Sequence, residues 1–303
     1  MSKIRRLLAC KTLILMCLPA IAFFFFFSYA PMPGAYVAFT KFNYNDGIFA
    51  SKFIGFDNFK FLFQSGQLGI LLRNTVLYNL GFILIGNVVQ MAVAILLSEI
   101  MSKRFRKVSQ SIMFLPYFIS DVLVALIVYN LLNYDFGFIS NLVRSFGFEM
   151  PKIYSNAKAW PVVIILVHLW KSTGYGSVVY FAAIMGIDAE MIEAAKVDGA
   201  NGFRRIIHIM LPCLKPTFII LLLFSLGGIV RGNFSLFYNL VGLNSMLYTT
   251  TDIIETFVYR SMMNNFNFSQ SSAVGLFQSV VGFVIVVSVN QIVKKIEPDN
   301  ALF

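Results

Sequence analysis

The chain is 303 residues long, 58% hydrophobic, 16% aromatic and only 13% charged, with a mean hydropathy of +0.76 and a formal net charge of +10. Soluble domains carry roughly a quarter charged residues, so this composition excludes an ordinary soluble enzyme and points to a lipid bilayer. The basic surplus does not read as a nucleic-acid footprint, because the cations flank apolar runs instead of forming one face.

No Asp, Glu, Lys or Arg occurs in 12–40, 74–98 or 261–293. A helical span needs about 20 apolar residues. The predicted fold is therefore an all-α membrane protein, one transmembrane domain over 1–303. Its six spans are expected at 12–33, 72–98, 108–132, 158–185, 214–238 and 272–293. The first follows a basic Lys3–Arg6 segment and resembles a secretory signal, but its apolar run is long and Pro31 suits a cleavage site poorly. It is expected to be retained. The lipoprotein-like box Leu7–Cys10 precedes the apolar core and is rejected. Phe23 to Phe27 cannot share one helical face, which favours lipid and packing contacts. Segment 34–70, rich in Phe, Tyr, Asn and Gly, reads as a turn-rich loop. With 133–157 and 239–271 it forms the predicted extracytoplasmic face.

Orientation follows from Lys and Arg placement. Lys3, Arg5, Arg6 and Lys11 crowd the N-terminus, Lys103, Arg104, Arg106 and Lys107 the second loop, Lys196, Arg204, Arg205 and Lys215 the fourth, and Lys294 and Lys295 the tail. The opposite side carries fewer cations over more residues. Both termini are expected in the cytoplasm, with the chain crossing the membrane several times.

Segment 186–213 is the most informative loop. Asp188 suits a helix cap, with Glu190 and Glu193 near the positive end of the dipole. Gly199 permits a sharp change of direction. Phe203, Ile206, Ile207, Met210 and Leu211 then fall on one apolar stripe, and Pro212 and Pro216 punctuate the exit into the next span. An amphipathic helix of this kind lies either on the membrane surface or in a partner's groove.

Catalytic chemistry is not visible. Cys10, Cys17 and Cys213 are not expected to form disulfides, and their spacing with His168 and His208 suits no metal. Phosphate-loop and nucleophile-elbow motifs are missing from the sequence. No cofactor is expected on this chain. Ionisable groups within spans are costly and usually face a cavity or a partner. This singles out Asp121, Lys171 and Arg231 for a substrate path, although Asp121 and Arg231 would also serve simply as partners for each other or for a neighbouring subunit. Asn87, Gln90, Asn233, Gln278 and Asn290 add hydrogen-bonding groups. Tyr175, Phe234 and Phe237 offer aromatic faces of the kind that sugars meet.

The loop spacing is specific: Glu193-Ala194-Ala195, three residues, Gly199, nine residues, Ile209, one residue, Leu211-Pro212. It resembles the EAA loop of the membrane subunits of binding-protein-dependent ABC importers. Flanking stretches are similar to the carbohydrate branch of that family, which includes the larger maltose-transporter membrane subunit. They are Trp170-Lys171-x-x-Gly174, Tyr180–Ile184, Asp252–Arg260, Ala273–Val280, Arg73–Thr75 and Leu115–Ser120. Asp121 departs from the Trp often found there.

The resemblance implies the type I importer permease fold and ATPase contact through Glu193, Ala194, Ala195, Asp198, Gly199, Ile209, Leu211 and Pro212. It also implies a separate ATP-binding cassette ATPase dimer that holds ATP and Mg, a second and different permease subunit, an extracellular solute-binding protein and a sugar substrate. Glu193 would contact the ATPase or merely stabilise its helix. An ABC permease for a non-sugar solute, a stand-alone secondary transporter or channel, and a non-transporting assembly or sensor protein are the competing readings.

Overall fold

A computed structural model describes residues 11–296, with side chains from 15 to 295. Lys3, Arg5, Arg6 and the Leu7–Cys10 box lie outside the described residues. The first helix, α1 (Lys11–Phe24), continues through a π-turn over Phe25–Tyr29 and a 3-10 helix over Met32–Phe39. A two-stranded antiparallel ladder follows, β1 (Thr40–Lys41) with β2 (Lys52–Phe53), closed by the short α2 (Gly47–Ala50). Then come α3 (Asp57–Gln64), α4 (Gln67–Ser98) and α5 (Lys103–Phe114). Next are α6 (Asp121–Leu132), α7 (Phe138–Ser145) and α8 (Trp160–Met185). The loop helices α9 (Ala189–Val197) and α10 (Gly202–Arg205) lead into α11 (Leu211–Leu226). The chain ends with α12 (Phe234–Val241), α13 (Tyr248–Thr251), α14 (Ile254–Met263) and α15 (Phe268–Ile296).

Five helical stretches are long and apolar enough to cross a membrane: Leu15–Phe39, Gln67–Ser98, Ala157–Met185, Gly202–Leu226 and Phe268–Lys295. A sixth is present if Lys103–Phe118 and Asp121–Leu132, bent by 98°, are taken as one span. The expected third span at 108–132 is thus broken. Pro116 cannot donate a backbone hydrogen bond, Ile119 is extended, and Ser120 restarts the helix by accepting from the Leu123 N–H.

The fifth span also differs from the expected 214–238. It begins at Gly202, inside the loop, and stops at Leu226, with a turn over 227–230 following. Asn233 then caps α12 through the Leu236 N–H. Pro212 and Pro216 do not interrupt the helix. A π-turn over Ile206–Met210 precedes Pro212, and such local adjustments absorb prolines in spans.

Lipid is as apolar as leucine, so helix association in a membrane rests on close packing and interhelical hydrogen bonds. The pair α4 and α8 is the most extensive contact. Three buried clusters run along α4. At its start, Leu68 and Leu71 meet Ile254, Phe257, Ala273 and Val274. In the middle, Tyr78 and Phe82 meet Val124, Trp160, Ile164 and Phe237. At its end, Ala94 and Ile95 meet Tyr180, Ile184, Met210 and Leu214. Loop 186–213 therefore sits at one end of the molecule and the β1–β2 ladder at the other. The Tyr180 hydroxyl donates to Asn87 Oδ1 at 2.8 Å, a polar link between α4 and α8.

Candidate functional site

The loop is built as an elbow. Asp188 caps α9 by accepting from the Glu190 N–H at 2.9 Å. The helix ends at Gly199, with φ +76°, a left-handed conformation that glycine adopts without steric cost. The Gly199 N–H donates to the Lys196 carbonyl and the Ala200 N–H to the Ala195 carbonyl, the hydrogen-bond pair of a Schellman closure. Asn201 caps the next helix through the Arg204 N–H at 2.9 Å.

Glu193, Ala194, Asp198, Gly199 and Pro212 are exposed, while Ala195, Ile209 and Leu211 are half-buried. The expected apolar stripe divides in two. Met210 is buried and Ile206 and Leu211 pack on the α4–α8 end, but Phe203 is 70% and Ile207 40% exposed. Val197, at 88%, and Met191, at 44%, extend that bare apolar surface. The second half of the elbow is tied to the body by an ion pair, Arg205 Nη2 to Glu99 Oε2 at 3.0 Å. Spacing alone did not single out Glu99, Arg205 or Asn201; the signal available was an isolated acid closing the long uncharged run of α4.

The substrate-path candidates do not form one cluster. Asp121 pairs with Lys171, joining the restart of the broken third span to α8. This corrects the expected alternative of an Asp121–Arg231 pair; the two lie on different elements, and Lys171 is the nearer cation. Tyr175 stacks on Tyr117, with ring centroids 4.4 Å apart. Phe237 is 1% exposed and belongs to the middle core, so it is no platform. Phe234 stacks on Tyr238 at 5.2 Å and remains half-buried. Asn233 is a helix cap.

Arg231 and Gln278 do line one cavity, at the interruption after α11. Non-helical backbone at membrane depth persists only where protein or a water-filled cavity satisfies it. Here side chains do so. Asn79 donates to the Ile229 and Arg231 carbonyls at 2.8 and 2.9 Å. Gln278 Nε2 donates to the Val230 carbonyl and to Glu255 Oε1, both at 2.6 Å. Glu255 Oε1 also accepts the Gly232 N–H at 2.7 Å, while Oε2 is buried without a hydrogen-bond partner. Arg231, Glu255 and Gln278 line a cavity of about 560 Å³, and Arg231 also lines a neighbouring one of about 440 Å³. Its guanidinium has no ion-pair partner among the described residues. Glu255 was missed as a site residue because it lies outside the expected spans.

A second polar cluster is structural. Arg260 makes a two-pronged contact with Asp252, at 3.1 and 2.6 Å, and Asn74 Nδ2 donates to the Asp252 carbonyl at 3.0 Å. It fastens the start of α14 to α4.

An elbow at one end, spans interrupted mid-course, and an unpaired cation beside a cavity define an integral membrane transport subunit. Residues 90–300 match the family described as binding-protein-dependent transport system inner membrane component, and the chain belongs to that family. It is 33% identical over 290 residues to Protein LplB of Bacillus subtilis, covering 96% of this chain and 91% of the relative. It is equally identical to the polygalacturonan/rhamnogalacturonan transport system permease protein YteP of the same organism, over 96% and 90%. A solved bacterial ABC transporter involved in the import of the acidic polysaccharide alginate matches with TM-score 0.87 and 33% identity. That match covers 97% of this chain and 98% of the solved one. The fold is accordingly that of the type I ABC importer permeases.

Proposed function

We propose that this chain forms part of the pathway for a carboxylate-bearing oligosaccharide in an ATP-driven importer of the bacterial cytoplasmic membrane. Loop 186–213 is its handle. The observation that carries this reading is the elbow itself, a rigidly capped pair of helices whose outer surface exposes Val197, Phe203, Met191 and Ile207 beside Glu193 and Asp198. A surface that combines bare apolar side chains with acids that have no ion-pair partner among the described residues suits a groove in another protein better than bulk water. That protein is a separate ATPase dimer, which holds the ATP and Mg; both termini of this chain lie on its side of the membrane. A second permease subunit completes the pathway, and an extracellular solute-binding protein delivers the sugar to the opposite end.

The mechanism follows from what is fastened to the elbow. Arg205 and Glu99, with Ile206, Met210 and Leu211, join α10 to the ends of α4 and α8. Gly202–Leu226 continues without a break to the interruption at Gly227. A displacement of the loop therefore moves the wall that carries Arg231. Arg231 needs a counter-charge at membrane depth, and a substrate carboxylate supplies one. The names of two relatives, an ABC transporter involved in the import of the acidic polysaccharide alginate and a polygalacturonan/rhamnogalacturonan transport system permease protein, accord with this substrate class.

The test is uptake of labelled oligosaccharide by the complete transporter in proteoliposomes. Gly199→Pro removes the N–H that bonds Lys196 and forbids the positive φ. It should abolish ATP-driven uptake while leaving docking of the solute-binding protein intact. Normal uptake by that variant refutes the coupling role. Arg231→Gln should raise the half-saturation concentration for acidic oligosaccharides and leave neutral ones unchanged.

A further inference from the structure

Two locally unfavourable features meet at the end of the molecule opposite the elbow. Lys41 of β1 stands directly across from Lys52 of β2. Like charges in that position destabilise a ladder, and neither lysine has an ion-pair partner among the described residues. Phe266 has φ 51°, alone among the described non-glycine residues in being positive, a left-handed conformation that is unfavourable for a residue with a β-carbon. Burial does not offset that cost, since Phe266 is 69% exposed.

All three residues line one cavity of about 400 Å³. Its walls come from distant segments held in register. The Phe42 N–H donates to Ser269 Oγ at 2.9 Å, and the rings of Phe42 and Tyr44 sit 5.5 and 5.3 Å from Phe268. Asp46 also borders the cavity, but it is engaged by Asn43 Nδ2 at 2.9 Å and pairs with neither lysine. Local rules broken together at one place mark function more often than chance.

We infer that this cavity is a second carbohydrate subsite, taking an acidic sugar unit at the outer end of the chain. Lys41 and Lys52 hold its carboxylate through charge-assisted hydrogen bonds. Phe266 presents an aromatic face to the apolar side of the sugar ring. The inference rests on the reading of this protein as a saccharide permease. Phe268 and Gln278 lie ten residues apart on α15, so the subsite and the Arg231 cavity are about 15 Å apart along the helix axis. A long oligosaccharide engages both, and a short one only one.

The experiment uses the complete transporter with its binding protein, and oligogalacturonates and oligoalginates of increasing length. In Lys41→Gln/Lys52→Gln, half-saturation for the long acidic chains should rise about a hundredfold, the effect of losing two charge-assisted hydrogen bonds. Disaccharides and neutral chains of equal length should be unaffected. Phe266→Gly should raise thermal stability by relieving the strained φ and yet weaken uptake of long chains, a combination that a purely structural role does not produce. Unchanged half-saturation overturns the subsite, as does an equal rise for disaccharides. Loss of binding-protein docking without sugar also overturns it, because the lysines would then serve the receptor. If the wild-type transporter moves no saccharide of either kind, the broader reading fails and the subsite with it. If it moves acidic chains and the variants match it, the subsite alone fails.

Discussion

Replacing Gly232 by alanine probes the interruption in the fifth span. A Cβ at that position lies 2.4 Å from Glu255 Oε2 and 2.6 Å from Ile253 Cδ1, inside any tolerable contact. Glu255 must then move, and its Oε1 is held by the Gly232 N–H at 2.7 Å and by Gln278 at 2.6 Å. Overpacking of this kind costs about 1–3 kcal/mol, and each hydrogen bond to a charged group contributes about 1.5–3 kcal/mol. Strain plus partial loss of one bond gives a destabilisation of about 3 kcal/mol. The assay is thermal unfolding of the purified complex in detergent, followed in parallel for Gly232→Ala, Glu255→Asp and the double variant. A shorter acid makes room for the methyl, so the double variant should recover about half of the loss, a clear coupling between contacting sites. A Gly232→Ala protein as stable as wild type, or a double variant with strictly additive losses, refutes the packing described at this break.

Asp121→Asn should destabilise the chain by stranding Lys171, by about 3 kcal/mol, and Asp121→Asn/Lys171→Met should recover most of that in the same unfolding assay. Glu99→Gln frees Arg205 from the end of α4, and should leave ATPase binding intact while lowering the uptake obtained per ATP hydrolysed. Asp252→Ala removes the carboxylate that accepts from Arg260 and from the Thr256 hydroxyl, and leaves the Asn74 hydrogen bond to the backbone carbonyl in place. It should lower stability by about 3 kcal/mol with no change in the preference for acidic over neutral substrates.

The general architecture was readable because its signals are strong. Long uncharged runs mark spans regardless of neighbours, and the expected and observed limits of the fourth agree within a few residues, 158–185 against Trp160–Met185. The elbow was readable from Asp188, Gly199 and the spacing between Glu193 and Pro212, since caps and left-handed turns are decided locally. What escaped were the interruptions. Hydropathy averages across Pro116 and Ser120, and across Gly227 and Gly228, although each pair carries ordinary stop and restart signals. Once those breaks are missed, their consequences are missed too. Asn79, Glu255 and Gln278 satisfy backbone groups that a continuous fifth helix would have satisfied by itself. The Asp121–Lys171 pair spans 50 residues of sequence, and no local pattern predicts such a partner.

The most direct measurement is uptake of labelled acidic oligosaccharide into proteoliposomes, comparing this chain alone with this chain assembled with its ATPase, second permease and binding protein. ATP-dependent uptake by the assembly and no flux from the lone chain is the predicted result, with Glu193→Ala and Gly199→Pro reducing the assembly toward the lone-chain level. Flux from the lone chain without ATP, or full uptake by an assembly whose elbow has been altered at Gly199, contradicts it.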